Sequence, residues 1–596
     1  MILFLGLSQA GCGDGSGGDS NSETKIPALT GVIDTTAPSL LGQSYVSKLI
    51  QPDTTITIIF DESINTSSLS LGGNLAAESD GGVWSQTDMV NDTLTLKPIT
   101  SWSLDTGRTL VVNAMDLAGN ALPELTLSHD VYLGTLHYVS SMAMNDNGDG
   151  LSPLSAKRNI MAAVSTATPP ATILVNAGDY PVSNTAGNRV ELVEGISLYG
   201  GYNADFTGRT VGSSVVTDES SITESSETNP NYAMRCDTGL TTSTLVDGFT
   251  FQASNQATAT YAAAIHVVNG AAPTIQNNMI NGGNSAGSDW TFGMAILGSA
   301  PVIKGNTLTG GSGNSFSFGI YTNSSPAYVS GNTITGGNGA GDTVGIANDS
   351  SSPQILDNTI VGGNGSSSLG IENRNFSYPV VQGNSIHGGE GSISHAGLVN
   401  FESSPLVRSN TIHGGGSEDS GGVNAATGES IGIFNIFAAP IMENNTVNGG
   451  FSKGHTYGVY NDPGSPTIKG NTIYGGVSDE GASYGILLSG GEGAVEDNNI
   501  DAGKGFLGGY ALYIAETSSA VNDNTFVTQT GTSYYCVYED TTDVNPSSLQ
   551  NNEFVSCEVL YRDFDTLTNL LNIDAVNALS DITGGVLGNR YSVSLP

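Results

Sequence analysis

Apolar and polar positions over the C-terminal two thirds of the chain repeat with a period of about 26 residues. The repeated unit is an Asn, one further residue and an apolar residue, usually followed by Gly-Gly. Its Asn falls at positions 278, 306, 332, 358, 384, 410, 445, 471, 498, 524 and 552, and six of the ten intervals are 26 residues. Repeats of this length indicate a solenoid, because one unit alone cannot bury its apolar face.

Two further features recur in phase with the Asn. A Pro followed by apolar residues precedes it, as at Pro301 and Pro353, and a Gly followed by an apolar residue stands earlier still, as at Gly345 and Gly370. Each repeat therefore contains three short strands and three turns, and none of its segments has helical periodicity. Coils stacked about 4.8 Å apart would place equivalent residues in files that run along the solenoid.

We interpret the repeated Asn as a structural ladder of hydrogen-bonded amides rather than as a binding motif. Ile334 and its equivalents are expected to form a neighbouring file in the interior. The predicted ladder contains Asn306, Asn332, Asn358, Asn384, Asn410, Asn445 and Asn471.

This pattern resembles the pectate-lyase-like superfamily of right-handed parallel β-helices, over residues 135–596. The segments around Asp149, from Ile173 to Tyr180 and from Leu198 to Tyr202 are similar to the usual opening of that family. The resemblance implies an all-β fold of roughly 12 to 14 coils. Helical caps are predicted near residues 154–166 and 566–579, since the open ends of a solenoid need covering.

Residues 36–134 are predicted to form a separate small β-sandwich. Short β-branched runs at 54–60, 93–97 and 109–113 alternate with turn residues. The sequence FDESIN from Phe60, the run TLTLKP from Thr93 and the segment from Asp116 to Asn120 resemble a bacterial immunoglobulin-like domain. Such domains serve as spacers.

The N-terminus resembles a bacterial lipoprotein signal peptide. An apolar run from Met1 to Leu7 leads to Ala10, Gly11 and Cys12, although Gln9 stands where an aliphatic residue is usual and a basic segment is missing. The resemblance implies a signal peptide at 1–11, lipidation of Cys12, a flexible tether at 12–35 and a place in the bacterial cell envelope. A disordered N-terminus with an incidental Cys is the alternative.

Charge and cysteine content limit the partners. The formal net charge is −39 with only 17 Lys and Arg, which argues against nucleic acid, and against polyanionic glycans unless a cation bridges them.

Cys536 and Cys557 fall near one another in adjacent coils, so we predict a disulfide, with two buried free thiols as the alternative. Cys236 would stay unpaired.

No catalytic residue is assigned from the sequence. Asn145, Asn147 and Asp149 resemble the start of a Ca²⁺-binding loop, but the closing position holds Ala156, which has no carboxylate. The segment is therefore compatible with a Ca²⁺ site or with a polar turn that binds no ion, and no other cofactor is predicted. Asp349 and Glu372 fall in neighbouring coils near the same turn, where two carboxylates are compatible with a glycosidase pair or with coincidence.

We therefore predict an exported, non-catalytic surface lipoprotein whose rigid β-helix serves adhesion or the binding of polysaccharide or extracellular matrix. A membrane would be contacted through the lipid anchor only. The alternative is a polysaccharide-degrading lyase or hydrolase, because the same fold hosts both kinds of protein. Loops after the Gly-Gly map to one face, with the largest insertion at 416–430, and include the acidic residues Asp289, Glu418 and Asp419. They are compatible with a carbohydrate or Ca²⁺ site or with solvated loops that bind nothing.

Overall fold

The computed structural model describes residues 34–43, 49–183, 188–219, 230–254, 261–283, 290–416, 427–529, 533–541 and 545–592. The chain divides into two compact units, one ending at Val131 and the other beginning at Tyr132. This division lies close to the boundary predicted between residues 134 and 135. The predicted signal peptide, Cys12 and most of the predicted tether lie outside the described residues.

The first unit is a β-sandwich of two four-stranded sheets. One sheet is antiparallel, in the order Leu40–Gln43, Ile56–Phe60, Thr93–Leu96 and Val83–Ser85. The other has the order Leu49–Ile50, Leu125–Val131, Asp105–Asn113 and Ser70–Gly72, with its first pair parallel.

Alternating side chains from both sheets of the sandwich, such as Ile58, Phe60, Val112 and Leu127, enclose one buried core. A 3₁₀ turn at Thr66–Ser68 and a helix at Asn74–Glu78 join the strands.

The second unit is a right-handed parallel β-helix built from three long sheets, which we name A, B and C in the order in which each coil visits them. Sheet A contains Thr135–Val139, Ala171–Asn176, Ile196–Tyr202, Leu245–Asp247, Thr274–Gln276, Val302–Lys304, Tyr328–Ser330, Gln354–Leu356, Val380–Gln382, Leu406–Arg408, Ile441–Glu443, Thr467–Lys469, Ala494–Glu496, Ala520–Asn522, Ser548–Gln550 and Val586–Leu587. Sheet B contains Gly178–Val182, Ser214–Asp218, Phe249–Gln252, Met279–Asn281, Thr307–Thr309, Thr333–Thr335, Thr359–Val361, Ser385–His387, Thr411–His413, Thr446–Asn448, Thr472–Tyr474, Asn499–Asp501, Thr525–Val527, Glu553–Val555 and Arg590–Ser592.

Sheet C has the longest strands, most of them six to eight residues. It contains Val190–Glu191, Asn231–Cys236, Tyr261–Val268, Trp290–Leu297, Phe316–Asn323, Asp342–Asp349, Ser367–Arg374, Ser394–Phe401, Ser430–Ile436, Thr456–Asp462, Ala482–Ser489, Gly508–Ala515, Tyr534–Glu539, Val559–Asp563 and Thr568–Leu570. A small three-stranded sheet of Phe451–Ser452, Val477–Ser478 and Lys504–Gly505 lies between sheets B and C along the chain. The parallel β-helix predicted from the 26-residue repeat is confirmed.

The two-residue alternation of a strand explains which side chains face the interior. In sheet B the central residue of each short strand is buried and its neighbours are turned outward. Ile334 pairs with Ile360 and Ile360 with Ile386, in unbroken register. Equivalent apolar residues of successive coils, mostly aliphatic, thus form one continuous core along the helix.

The repeated Asn side chains form a buried hydrogen-bonded file in the turn between sheets A and B. The backbone N and the Nδ2 of Asn332 both donate to Oδ1 of Asn358, at 2.9 and 3.0 Å. Nδ2 of Asn332 also donates to the carbonyl of Ile303 at 3.0 Å. The file includes every predicted member and extends to Asn278, Asn498, Asn524, Asn552 and Asn589. The amides replace backbone partners that a tight buried turn cannot supply.

The Gly-Gly after sheet B is required by the close approach of adjacent coils. A Cβ on Gly336 would lie 2.1 Å from the carbonyl oxygen of Gly362, and a Cβ on Gly362 would lie 2.2 Å from that of Gly388. A side chain at Gly336 or Gly362 would therefore force the backbone to shift, although one later coil has Ala502 at the equivalent position.

The predicted N-terminal helix at 154–166 is wrong in extent. A 3₁₀ turn covers Pro153–Ser155 and an α-helix covers only Ile160–Val164. Between them Lys157 pairs in parallel with Val139 of sheet A, and its backbone N donates to the carbonyl of Tyr138 at 2.9 Å. Strand pairing with sheet A therefore replaces the helical bonds of this segment.

The predicted C-terminal helix at 566–579 is also shorter than expected. Thr568–Leu570 is a strand that pairs antiparallel with Val559–Asp563, and the helix covers only Ile573–Asn577. The side chain of Asn572 accepts a hydrogen bond from the backbone N of Ala575 and so caps that helix. Within the described ranges, every helix is too short or too polar to span a bilayer.

A disulfide joins Cys536 and Cys557, whose Cα atoms are 5.9 Å apart. The two residues lie in consecutive coils near the C-terminal end. Cys236 is a buried free thiol among the described residues, and burial raises its pKa.

Replacing Asn358 by Leu is expected to lower the free energy of unfolding by about 2–4 kcal/mol, because two buried donors of Asn332 lose their acceptor. Denaturant unfolding followed by circular dichroism measures the change. The exposed Asn338 provides the control, since its replacement by Leu is expected to change stability by less than about 0.5 kcal/mol. Equal effects of both substitutions would contradict a structural role for the file.

Candidate functional site

The outer face of sheet C carries two files of side chains that are separate from the interior core. A strand such as Phe316–Asn323 contains Gly319, where a Cβ would lie 2.6 Å from the carbonyl oxygen of Gly345. Phe318, just before this Gly, and Tyr321, two residues after it, belong to a cluster distinct from the interior, whereas Ile320 belongs to the interior. The corresponding residues of each coil form what we name the outer files.

The N-terminal half of the outer files is closed by packing between its own aromatic rings. Phe292, Phe318 and Tyr321 have almost no exposed surface. Trp290, whose ring lies 4.9 Å from that of Phe316 and 5.5 Å from that of Phe318, covers them. Trp290 begins a strand of sheet C, and its contacts there serve packing.

The C-terminal half of the outer files is dominated by tyrosines, which we name the tyrosine files. The first file contains Tyr457, Tyr484, Tyr510 and Tyr535, and the second contains Tyr460, Tyr513 and Tyr538. Consecutive rings of the first file are stacked, with centroids 4.9, 4.9 and 5.4 Å apart and planes within 11°. Each ring of the first file covers a face of the next, Tyr457 is buried, and the other members of the two files keep part of their surface exposed.

Several hydroxyl groups of the tyrosine files lie beside carboxylates. Tyr457 Oη is 3.3 Å from Glu429 Oε1, and Tyr460 Oη is 3.5 Å from Asp462 Oδ2. Burial, neighbouring tyrosines and Asp540 raise the pKa of Tyr510 to about 12. The phenols therefore remain neutral hydrogen-bond donors at neutral pH. The hydroxyls of Tyr484 and Tyr510 have no hydrogen-bond partner among the described residues.

A charged triad occupies the outer face midway along sheet C. Arg374 Nε lies 3.0 Å from Asp349 Oδ2, and Arg374 Nη1 lies 3.5 Å from Glu372 Oε2. The guanidinium is also 5.8 Å from the ring centroid of Tyr321. The structure thus brings Asp349 and Glu372 together, as their spacing suggested, but it joins both carboxylates to one arginine.

The environment of Glu372 holds its pKa above that of an exposed carboxyl group. Burial raises the pKa of Glu372, and Asp342 and Asp349 add to this effect, while Arg374 opposes it. Burial alone would lower the pKa of Arg374, but Glu372, Tyr321 and Asp349 outweigh it and raise that pKa. Arg374 is therefore a permanent cation between two acids.

The segment suggested as a Ca²⁺ loop is held by hydrogen bonds of its own. Asp149 Oδ1 accepts from the backbone N of Leu151 at 2.9 Å and from Ser155 Oγ at 2.5 Å. Asn145 Oδ1 accepts from the backbone N of Asn147 at 2.9 Å. The side-chain oxygens of Asn145 and Asp149 therefore serve the local turn.

Another acidic group, which the sequence did not reveal, lies in the β-sandwich. Asp34, Glu62 and Asp116 each place a carboxylate oxygen within 4.8 Å of the others. Burial raises the pKa of Glu62, as do Asp116 and Asp34. The carboxylate of Asp116 already accepts from the backbone N and Nδ2 of Asn120, at 2.8 and 2.7 Å. Oxygen ligands of this kind suit Ca²⁺ or Mg²⁺.

Three histidines meet at the turn after sheet B. The rings of His387 and His413 are stacked, with centroids 4.7 Å apart. Their Nδ1 atoms accept from the backbone N of Gly389 at 2.9 Å and of Gly415 at 3.1 Å. Buried His395 places Nδ1 2.9 Å from Ser430 Oγ.

Burial lowers the pKa of all three histidines, and repulsion from its neighbours contributes to a pKa of about 4 for both His395 and His413. Most of the adjoining insertion lies outside the described residues, as do Asp289, Glu418 and Asp419.

The outer files contain the residues that sequence reasoning missed. The signal was present as an aromatic residue just before the Gly of sheet C and another two residues after it, as in Tyr457 and Tyr460. The repeated pattern itself consists of the Gly and the residues that follow it. The side chains at these two positions differ from coil to coil, so no single residue type repeats there.

No protein-family model and no curated protein matches this chain. Among solved structures, it is similar to the pectate lyase Pel9A, with 12% identity over 76% of this chain and 87% of that one and a TM-score of 0.31. It is also similar to the A-module of the Azotobacter vinelandii mannuronan C-5 epimerase AlgE4 (14% identity, 77% and 98% coverage, TM-score 0.27). A third is the Yersinia enterocolitica family 28 exopolygalacturonase (10% identity, 94% and 99% coverage, TM-score 0.21). These similarities assign no activity to this chain.

The histidine turn is expected to make the β-helix less stable as the pH falls from about 6.5 towards 4. Unfolded histidines gain their proton near pH 6.5, while the folded ones resist protonation until lower pH, so the unfolded state binds more protons in this window. The double substitution His387→Asn and His413→Asn should flatten this dependence.

Asn448 pairs with His413 in the next coil of sheet B, and its side chain accepts from the backbone N of Gly450. Asn can therefore form the same hydrogen bond as the histidine that it replaces. Denaturant midpoints measured between pH 7.5 and pH 4 provide the test. The same slope in the double variant and the native protein would contradict the assignment.

Proposed function

We propose that this protein binds an extended, uncharged polysaccharide along the outer face of sheet C and does not cleave it. The observation that carries the proposal is the pair of tyrosine files. The first file has a neutral hydroxyl group in each of four successive coils, and the second adds three more, with Leu487 between Tyr460 and Tyr513. A polysaccharide is also a repeating array of hydroxyl groups. A regular protein surface fits a repeating ligand, because each added unit can form the same contacts.

The charge of the chain favours an uncharged ligand. The formal net charge is −39, and Glu429, Asp462 and Asp540 lie beside the tyrosine files. Carboxylates accept hydrogen bonds from sugar hydroxyls but repel uronic acids and sulfated sugars. Tyrosine hydroxyls can donate to the ring and glycosidic oxygens of the same chain.

The arrangement of the triad supports binding rather than hydrolysis. A glycosidase places two carboxylates on either side of the scissile bond, one as an acid and one as a base or nucleophile. Here one guanidinium pairs with both Asp349 and Glu372. A carboxylate paired with a guanidinium is a weak base and nucleophile, whereas the polar atoms of the triad can hydrogen-bond sugar hydroxyls.

The proposal also includes attachment to the bacterial cell envelope through lipid on Cys12. Its support is the sequence that precedes Cys12 and the polar segment that follows. An acyl anchor, a polar segment and a β-sandwich spacer would hold the β-helix away from the bilayer. Mass spectrometry of the protein isolated from membranes tests this part, and an unmodified Cys12 would contradict it.

Replacing Tyr484 and Tyr510 by Ala is expected to weaken binding of the recognised polysaccharide by about tenfold, because two hydroxyl partners and the ring stack are lost. Affinity electrophoresis against a panel of neutral and acidic polysaccharides gives the measurement. Tyr328, which is partly exposed on sheet A, provides a matched control for the loss of a tyrosine. Preferential binding of acidic polymers, or equal weakening by Tyr328→Ala, would contradict the proposal.

The second candidate is a carbohydrate-cleaving enzyme, and the raised pKa of Glu372 is the observation that favours it, because a general acid must be protonated at neutral pH. Incubation with the same panel, followed by assays for new reducing ends and for unsaturated products, separates the candidates. Cleavage that disappears in Glu372→Gln and Asp349→Asn would overturn the non-catalytic proposal. With no cleavage, both variants are expected to remain able to bind.

A further inference from the structure

A strip of exposed aromatic side chains lies on the turn that leads from sheet C back to sheet A, outside the two outer files. Phe376, Tyr378 and Phe437 are 66, 56 and 62% exposed, and Phe401 is 38% exposed. They belong to three consecutive coils. The rings of Phe401 and Phe437 meet edge to face, with centroids 6.5 Å apart. We name these four side chains the aromatic rim.

Two members of the aromatic rim lie in one file. Ser377 follows Phe376 and donates its backbone N to Ser403 Oγ at 3.0 Å, and Ser403 follows Glu402. In the next coil Ala439 donates to Ser404 Oγ at 3.0 Å, which aligns Phe437 with Glu402. Phe376, Glu402 and Phe437 therefore alternate ring, carboxylate and ring along the axis. The two rings are two coils apart, about 9.6 Å.

The fold does not require aromatic residues at these positions. Phe376 and Phe437 have left-handed backbones, with φ of +61° and +51°. In other coils the same turn position holds non-aromatic residues with positive φ, such as Ser350, Glu402 and Gly490. A bulky side chain in this conformation is strained, and such strain is typically retained where a side chain serves a function. Neither ring contributes to the interior core.

We propose that the aromatic rim is a sugar-binding subsite in which two sugar rings of an uncharged polysaccharide lie against Phe376 and Phe437. This inference rests on the proposed function and extends it to a surface outside sheet C. Each sugar ring has an apolar face of C–H groups, which is removed from water when it covers an aromatic ring. Glu402, between the two rings, accepts hydrogen bonds from the sugar hydroxyls.

The rim is adjacent along the chain to the charged triad. Asn375 precedes Phe376, and its Nδ2 donates to Asp349 Oδ1 at 2.8 Å. The turn of the rim is thus held directly against the outer face of sheet C. A polysaccharide seated on the rim can therefore continue towards the triad, while the tyrosine files provide hydroxyl contacts further along the same β-helix.

The size of the rim favours a sugar over a protein partner. A stable protein interface buries about 800 Å² on each side and has a contiguous apolar centre. The rim is only three coils long, and its two outermost coils are about 10 Å apart. Glu402 also interrupts the apolar surface with a charge. A narrow strip of separated rings fits a narrow chain molecule, for which a few aromatic contacts are sufficient.

The double substitution Phe376→Gly and Phe437→Gly tests the inference in the full chain. Glycine adopts the left-handed conformation without strain, so the thermal midpoint is expected to be unchanged or higher. Binding of the neutral polysaccharide recognised by the native protein should weaken at least fivefold. Phe376→Asn with Phe437→Asn repeats the test with a residue that also tolerates this conformation. Phe506→Ala, at a 76% exposed position in another turn, is the control.

The possible results separate the two proposals. Unchanged binding by the rim variants, together with weaker binding by the variant lacking Tyr484 and Tyr510, would overturn the rim alone. Equal weakening by Phe506→Ala would also overturn it, since any exposed ring would then have the same effect. If the native protein binds none of the neutral polysaccharides, the proposed function and the rim both fail.

Discussion

Hydrogen bonding between successive coils is the constraint on which the rest of this β-helix depends. Three short strands cannot bury their apolar side chains or pair their backbone groups within one coil. Each strand therefore pairs with its equivalent in the next coil, and the turns must pair as well. The Asn file meets this need at the tightest turn, where both the backbone N and the side chain of each Asn bond to the next. At the Gly-Gly turn, the missing side chains allow adjacent coils to approach closely enough to pair.

Features that repeat identically in every coil could be read from the sequence. The file of Asn332 and Asn358 and the interior Ile334 follow from a period that fixes register, and register fixes which residues are neighbours. The pairing of Cys536 and Cys557 was anticipated by the same reasoning. In contrast, the helix expected at 154–166 fails because Lys157 pairs with a strand that lies earlier in the chain. Local apolar periodicity contains no information about such a partner.

The candidate site was only partly predictable, because its residues share a position but not an identity. The two outer files contain Phe, Val, Leu, Glu and Tyr in different coils, so no repeated letter indicated them. Register did bring Asp349 close to Glu372, but the role of Arg374 between them depends on side-chain geometry. The exposed Phe376 and Phe437 were missed for a related reason, since non-aromatic residues fill the same turn position in other coils.

The uniform rise of the coils also determines how the binding surface can change in length. A block of one whole coil, such as residues 332–357, contains one member of every file. Its duplication or loss would again place an Asn next to an Asn and a Gly next to a Gly. The new contact between coils would therefore resemble every other contact between coils in the helix. Recombination between repeats can therefore lengthen or shorten this surface in steps of about 4.8 Å without designing a new interface. The length of the surface is then set by the number of coils, independently of the side chains that each coil displays.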